Sequence, residues 1–317
     1  MGDLPSPRVT SSPPFSHCGI DYAGPIQILP YVGRGQKSRK YYVSIFVCLA
    51  TRAIHLEYVS DYTSEGFIAA FRRFVSRRGL PSDIYSDNGT NFVGADRELR
   101  LAFINACKDR TVHDHLAPDG IKWHFIPAAS PHFGGLWEAG VKSFKHHLKR
   151  VIGNHTLSQL EFATLLCQIE ACLNSRPLAA VTSDPDSFEA LTPGHFLIGR
   201  PLLSVPEESV LDIKESRLSR WQRVQAMREH FWKAWSSDYL HTLHQRQKWQ
   251  TVQLPIKIND LVLIKNPLLP PTKWEMARVV ETHPGPDGHT RVVTVRTASS
   301  TFKRPITKIC TLISDRD

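Results

Sequence analysis

Three acidic residues in this 317-residue chain stand where a carboxylate needs an explanation. Asp21 lies inside the apolar, β-rich run His17–Ile28, Asp87 follows the short β-rich run Asp83–Ser86 and opens an Asp-Asn-Gly turn, and Glu138 falls in the first turn of an amphipathic segment. An ionised carboxylate in an apolar strand is costly unless it is paired, and a divalent cation is one such partner. Two Mg²⁺ ions roughly 3.5–4 Å apart, bridged by one acid and flanked by the others, could activate an attacking oxygen and stabilise a leaving one. That is phosphoryl-transfer chemistry without a side-chain nucleophile. Taken singly, a strand Asp is more often a hydrogen-bonded structural group, and Asp87-Asn-Gly is also an ordinary turn. The combination is what points to a metal site.

The flanking sequence supplies elements to hold these acids. His17–Ile28 and Lys40–Ala53 read as strands joined across the polar segment 33–40, and Ile54–Val59 as a third. Thr63 can cap a helix whose residues Phe67, Ala70, Phe71, Phe74 and Val75 share one face, opposite Arg72, Arg73, Arg77 and Arg78; Gly79 and Pro81 stop it. Asp83–Ser86 is a short strand, a helix is expected near 97–108, and Ile121–Ala128 is another strand. Helices follow over about 136–152 and from Thr156, whose Thr-Leu-Ser-Gln opening fits a capping box, to Asn174. Strands first, then strands and helices in alternation, predict a mixed α/β sandwich. In the helix of Glu138, Lys142, Lys145 and Lys149 fall at i+4, i+7 and i+11 and form a basic stripe on its face. Such a stripe can be only a solvated face; beside a metal-binding acid it suits the phosphates of DNA.

The remainder of the chain differs in charge. The net charge of +9 is uneven: residues 1–214 carry 22 Lys and Arg against 21 Asp and Glu, and residues 215–317 carry 17 against 9. A concentrated positive field favours a polyanionic partner, nucleic acid being the commonest. The segment 218–249 reads as a long helix with five tryptophans and tyrosines among its aromatics, serving core or subunit interface ahead of base stacking. Four β-like runs beyond it, at 256–265, 277–282, 291–297 and 302–308, predict a small β-barrel. The six cysteines show no Cys-x-x-Cys spacing and read as reduced thiols, and no run of about 18 apolar residues argues for a membrane span.

Three blocks now support a resemblance. His17-Cys-Gly-Ile-Asp21-Tyr-Ala-Gly-Pro25, Tyr85-Ser-Asp87-Asn-Gly-Thr-Asn-Phe92 and Ser130-Pro-His-Phe-Gly-Gly-Leu-Trp-Glu138 resemble the acidic blocks of the retroviral and retrotransposon integrase superfamily, most closely the BEL/Pao class of long-terminal-repeat elements. The resemblance spans about 13–200. It implies a ribonuclease-H-like mixed sheet flanked by helices, with Asp21, Asp87 and Glu138 as catalytic ligands of Mg²⁺ or Mn²⁺ and the lysines after Glu138 on the element's DNA ends. Fifty residues lie between Asp87 and Glu138, more than in retroviral enzymes and similar to BEL/Pao ones. Asn91 and His132, inside the blocks, are open to an orienting or a structural role.

The C-terminal part resembles the domain that follows the core in BEL/Pao polyproteins, marked by Phe231-Trp-Lys-Ala-Trp and by Lys303-Arg-Pro-Ile-Thr-Lys308. Arg278, Arg291, Arg296, Lys303 and Arg304 there suit backbone phosphates, without sequence readout. The expected organisation is a linker or truncated end over 1–12, a catalytic core over 13–200, a linker over 201–217, and a basic helix-plus-barrel domain over 218–317. Family enzymes usually begin with a zinc-binding domain, but this chain lacks its ligand spacing, so no zinc site is expected and a fragment or derived gene product is suggested. The resemblance implies DNA integration by a homo-oligomer acting in the nucleus, or otherwise in the cytoplasm, without a membrane partner. A non-enzymatic DNA-binding descendant and a ribonuclease-H-like nuclease are the competing readings.

Overall fold

The computed structural model describes residues 9–33, 35–87, 90–106, 120–125, 135–243 and 256–312; side chains at 90, 100, 102–106 and 135–140 lie outside that description. Contacts divide the chain by packing into Met1–Glu170 and Ala171–Asp317.

In the first unit, β1 (His17–Leu29), β2 (Arg39–Cys48) and β3 (Ile54–Val59) form an antiparallel meander. β4 (Asp83–Ser86) and β5 (Lys122–Phe125) add to the other side of β1 in parallel, giving the order β3-β2-β1-β4-β5, and β6 (Leu157–Ser158) also pairs with β1. Helices α1 (Ser64–Arg78), α2 (Thr90–Ala106), α3 (Gly135–Ile152) and α4 (Gln159–Asn174) accompany the sheet. The result is the expected mixed α/β arrangement. Central β1 is buried at Cys18, Ile20, Ala23 and Ile28, which is why its run is apolar rather than strictly alternating.

Helix α1 forms as its sequence predicts. The Thr63 hydroxyl accepts from the Gly66 amide at 3.0 Å, Phe67, Ala70, Phe71 and Phe74 are buried, and the Gly79 amide closes the last turn on the Val75 carbonyl. Its phenylalanines stack on Phe46 of β2, whose ring lies 4.2 Å from that of Phe74 and nearly parallel to it. The next boundary departs from expectation. Helix α2 begins at Thr90, well before the expected start near 97, and buries Phe92 and Ala95. The expected Thr156 capping box is not the one used: Leu157–Ser158 instead pairs with Ile28–Leu29, and the box is formed two residues later, with the Ser158 amide and hydroxyl donating to the Glu161 carboxylate at 2.7 and 2.9 Å.

The second unit holds a two-stranded ribbon, β7 (Ala179–Ala180) with β8 (Ala190–Leu191), a short α5 (Pro193–Ile198) and a long α6 (Arg220–Leu243). Its main sheet is antiparallel, built from β9 (Leu261–Ile264), β10 (Glu275–Pro284), β11 (Thr290–Arg296), β12 (Thr301–Pro305) and β13 (Ile309–Thr311) in the order β12-β11-β10-β9-β13. Val262, Ile264, Ala277, Val279, Val293, Val295 and Ile309 form its core. Where a closed barrel was expected, no ladder among the described residues joins β12 to β13. Pro305 and a 3₁₀ turn over Ile306–Lys308 separate the two strands, and proline cannot donate to a ladder. The aromatics of α6 serve the core: Phe231, Trp232 and Trp235 are buried, and the Trp232 ring meets that of Trp274 edge-on at 4.8 Å.

Candidate metal and nucleic-acid site

The β1–β4 register decides where the first two acids stand. His17, Cys18 and Gly19 pair in parallel with Asp83, Ile84 and Tyr85, so two residues further along each strand Asp21 comes beside Asp87. Neighbouring strands lie about 4.8 Å apart, and partnered residues share a face. The end of β4 is fixed from below: the Trp123 indole donates to the Ser86 hydroxyl at 2.9 Å, and that hydroxyl donates to the Asp87 carbonyl at 2.9 Å. Asp87 itself is exposed.

Asp21 accepts the Tyr22 amide at 2.6 Å on one oxygen and the Lys145 ammonium at 2.7 Å on the other. Lys145 reaches it from α3, whose buried face is Val141, Phe144, Leu148 and Ile152. Lys142 and Lys149, also predicted to meet DNA, are exposed on the same helix. Glu138 falls on the α3 backbone seven residues before Lys145, which is two turns away on one helical face; its side chain lies outside the described residues, as does all of His132. Among the described residues no three His, Cys, Asp or Glu side chains form a metal-binding group.

Tyr62 was not singled out by sequence reasoning. Its ring is half-exposed and packs on Tyr22 and Tyr42 at 5.3 and 5.1 Å. Its phenol is pushed above the ordinary value by burial and then by the charges of both Asp87 and Asp21, so the two carboxylates act on one point. The pair fits a hard cation. Carboxylate oxygens are the donors Mg²⁺ and Mn²⁺ prefer, and the Lys145 ammonium already occupies Asp21 where a cation would bind.

Asn91 takes a different place from a surface contact. It is 2% exposed, and neither amide atom nor the buried Tyr22 hydroxyl reaches hydrogen-bond geometry. The amide is still near enough to offset part of the burial that raises the Tyr22 phenol, so Asn91 looks inward to Tyr22. In the second unit Arg296 is held: its Nη2 donates to the Pro185 carbonyl and to Asp186, each at 2.7 Å, and its guanidinium lies over the Phe188 ring. Arg278 is 3% exposed and donates to the carbonyls of Thr182, Ser187 and Asn259. Lys303 and Arg304 are exposed on edge strand β12, with Arg304 over the Phe302 ring.

A second acidic cluster was hidden from the sequence. Three of the arginines expected on the solvent face of α1 fold back: Arg73 donates to Glu57 at 2.7 Å, Arg77 pairs with Glu57, and Arg78 donates to Glu170 at 2.5 Å. Between the two acids His55 is fully buried, with Nε2 3.1 Å from Glu57 and Nδ1 3.2 Å from Arg78 Nε and 3.3 Å from Glu170. Burial holds its pKa below the ordinary value, outweighing the opposite pull of Glu170. Burial alone would raise Glu170; the His55 contact, the Leu56 amide and Arg78 outweigh it and leave the carboxyl lowered.

Residues 219–312 match a family described as "Family of unknown function (DUF5641)". No curated protein matches the chain. Among solved structures, a chain of the simian T-cell lymphotropic virus intasome in complex with the PP2A regulatory subunit B56 gamma is similar at 13% identity and a TM-score of 0.40, over 100% of this chain and 85% of that one. Likeness at that level establishes no shared function, so a functional reading has to rest on the site itself.

Proposed function

We propose that the chain is a polynucleotidyl transferase of the BEL/Pao retrotransposon integrase type, with a ribonuclease-H-like core. The observation that carries the reading is the β1–β4 register, which sets Asp21 beside Asp87 with the Lys145 ammonium on Asp21. The order β3-β2-β1-β4-β5, antiparallel on one side of β1 and parallel on the other, supports the core assignment.

Asp21, Asp87 and Glu138 would hold Mg²⁺ or Mn²⁺. When bound, the ions supply charge neutralisation and activation of the attacking oxygen. The chain's own groups do the rest. Strand β1 and the Trp123–Ser86–Asp87 chain fix the backbone that carries the two aspartates before substrate arrives, which lowers the reorganisation needed at the reacting phosphate. Lys142, Lys145 and Lys149 hold backbone phosphates beside the acids. The reaction is attack by water on a phosphodiester near the element's 3′ end, then attack by the freed 3′-hydroxyl on target DNA. Joining two ends to one target implies a homo-oligomer, and the substrate implies the nucleus. Lys303 and Arg304 of the second unit add sequence-tolerant affinity for DNA.

The test is strand transfer of labelled DNA ends in Mg²⁺ or Mn²⁺, with Glu138→Gln alongside. Activity that disappears in the variant supports carboxylate-bound metal. If both proteins are inactive and still bind DNA with strong salt dependence, the non-enzymatic DNA-binding reading replaces this one. Cleavage confined to RNA–DNA hybrids would favour a ribonuclease H.

A further inference from the structure

The Lys145 that meets Asp21 also lines a groove of about 810 Å³, bounded by the Ala23–Ile26 stretch of β1 and the C-terminal half of α3 with the turn after it. The β1–β2 register slips between Ala23 and Ile26, and such bulges bend a strand away from its neighbour and commonly adjoin active sites. Gly24 makes the bend possible: its φ is 131°, and a Cβ there would come within 3.1 Å of both the Tyr41 carbonyl oxygen and the Tyr42 ring. The walls carry Lys145 and Lys149 with the polar side chains of Gln27, Ser38, Asn154 and His155, and no Asp or Glu. Lys40 pairs across from Gln27 and adds positive charge on the same strand face.

We propose that this groove holds the phosphate–sugar chain of an unpaired nucleic-acid strand adjoining the carboxylates, an inference that rests on the transferase reading. Continuity with Asp21 through one lysine places the strand next to the reacting phosphate. The two lysines are one helical turn apart, with Cβ atoms about 5–6 Å from each other, a separation comparable to that of neighbouring phosphates on one strand. The volume lies within the range of about 300–1,000 Å³ typical of pockets that enclose a small ligand. A double helix would lie across such an opening and could not enter it. The Tyr22 and His155 rings on the walls are only partly exposed, and the lysines and polar side chains predominate, so recognition is by backbone charge and hydrogen bonds, with salt sensitivity and little base preference.

The experiment is fluorescence anisotropy of the full chain with a labelled duplex that carries a single-stranded tail, against a blunt duplex of the same sequence, over a salt series. Lys149 and Asn154 are exposed, so Lys149→Glu and Asn154→Asp should keep the parent melting temperature. Lys149→Glu is expected to weaken the tailed probe about tenfold and to reduce its salt slope by about 0.7, the value for one single-strand phosphate contact, with a clearly smaller loss on the blunt duplex. Asn154→Asp should weaken the tailed probe in the same sense. Equal losses on both probes, or none on the tail, overturn the groove as a strand site. The transferase reading fails by a different result: wild-type protein that cleaves nothing with metal present while the two groove variants still lose the tail.

Discussion

The first unit holds two sets of acids, and their surroundings are opposite. Glu57, at 3% exposure, and the nearly buried Glu170 are met by Arg73, Arg77, Arg78, the Leu56 amide and His55, so each charge taken from water is matched by charge or hydrogen bond. Asp21, inside β1, and Asp87, just past the end of β4, are in partial or full contact with solvent, with the Lys145 ammonium on Asp21. Burying a carboxylate is tolerable only when it is paired almost completely. The matched acids are therefore committed to the fold, while the hydrated ones are left accessible to a cation. Carboxylates a few strands apart are thus neutralised within the fold in one place and left open in the other, as the proposed function requires.

That contrast breaks first, and by the largest margin, at Asp87. Asp87→Asn keeps the shape and removes the charge; strand transfer should fall about a thousandfold, since metal charge stabilisation is worth several kcal/mol, with the melting temperature unchanged. Retained activity would show that Asp87 holds no metal. Glu57→Ala should do the reverse. It leaves Arg73 and Arg77 facing a cavity beside His55, and removal of one partner of a buried ion pair costs about 3 kcal/mol or more. Denaturant unfolding measures this directly, and a loss under about 0.5 kcal/mol, the range of ordinary surface changes, would put Glu57 among the surface pairs.

The same distinction applies to the basic residues of the second unit. Arg278→Leu removes a guanidinium that ties three carbonyls, and should destabilise by about 2 kcal/mol, because hydrogen bonds to charged groups are each worth roughly 1.5–3 kcal/mol and some are replaced by apolar packing. DNA affinity of the folded protein should not change. Lys303→Ala should leave unfolding alone and lower the salt slope for duplex DNA by about one. A shared phenotype for the two variants would erase the division between structural and DNA-facing arginines and lysines.

What could be read in advance follows the range of each interaction. The apolar face of α1, its Thr63 cap and the Lys142–Lys145–Lys149 stripe depend on spacings within a few turns, and these the sequence displays directly. Two candidate capping boxes, at Thr156 and Ser158, satisfy the same local pattern; the choice was made by pairing of Leu157–Ser158 with Ile28–Leu29, far away in sequence. The fate of Arg73, Arg77 and Arg78 was likewise settled elsewhere, by acids on β3 and α4 that no helical periodicity reveals. Asp21 and Asp87 were visible as anomalies, an acid in an apolar strand and an acid at a turn. Their adjacency needed the parallel register, and the groove behind Lys145 needed a bulge.

The smallest effect expected is in acid, and its sign separates the two acidic sets. His55 has its pKa lowered by burial, so below its unfolded value of about 6.5 the unfolded chain takes up a proton that the folded chain refuses, and stability declines. Glu170 is lowered in the folded state as well, so its contribution is present above the unfolded value near 4.5 and is lost as pH falls through the folded one. Stability should then be level from about pH 8 to 6.5, fall gently below that, and fall more steeply below about 4.5. Guanidinium melts across this range would show it, and His55→Asn should remove the first decline while leaving the second. A rise in stability between pH 6.5 and 5 would mean that His55 is charged in the fold. The two glutamates would then be neutralised in part by the imidazolium, and the network would resemble the Lys145–Asp21 pair more than its opposite.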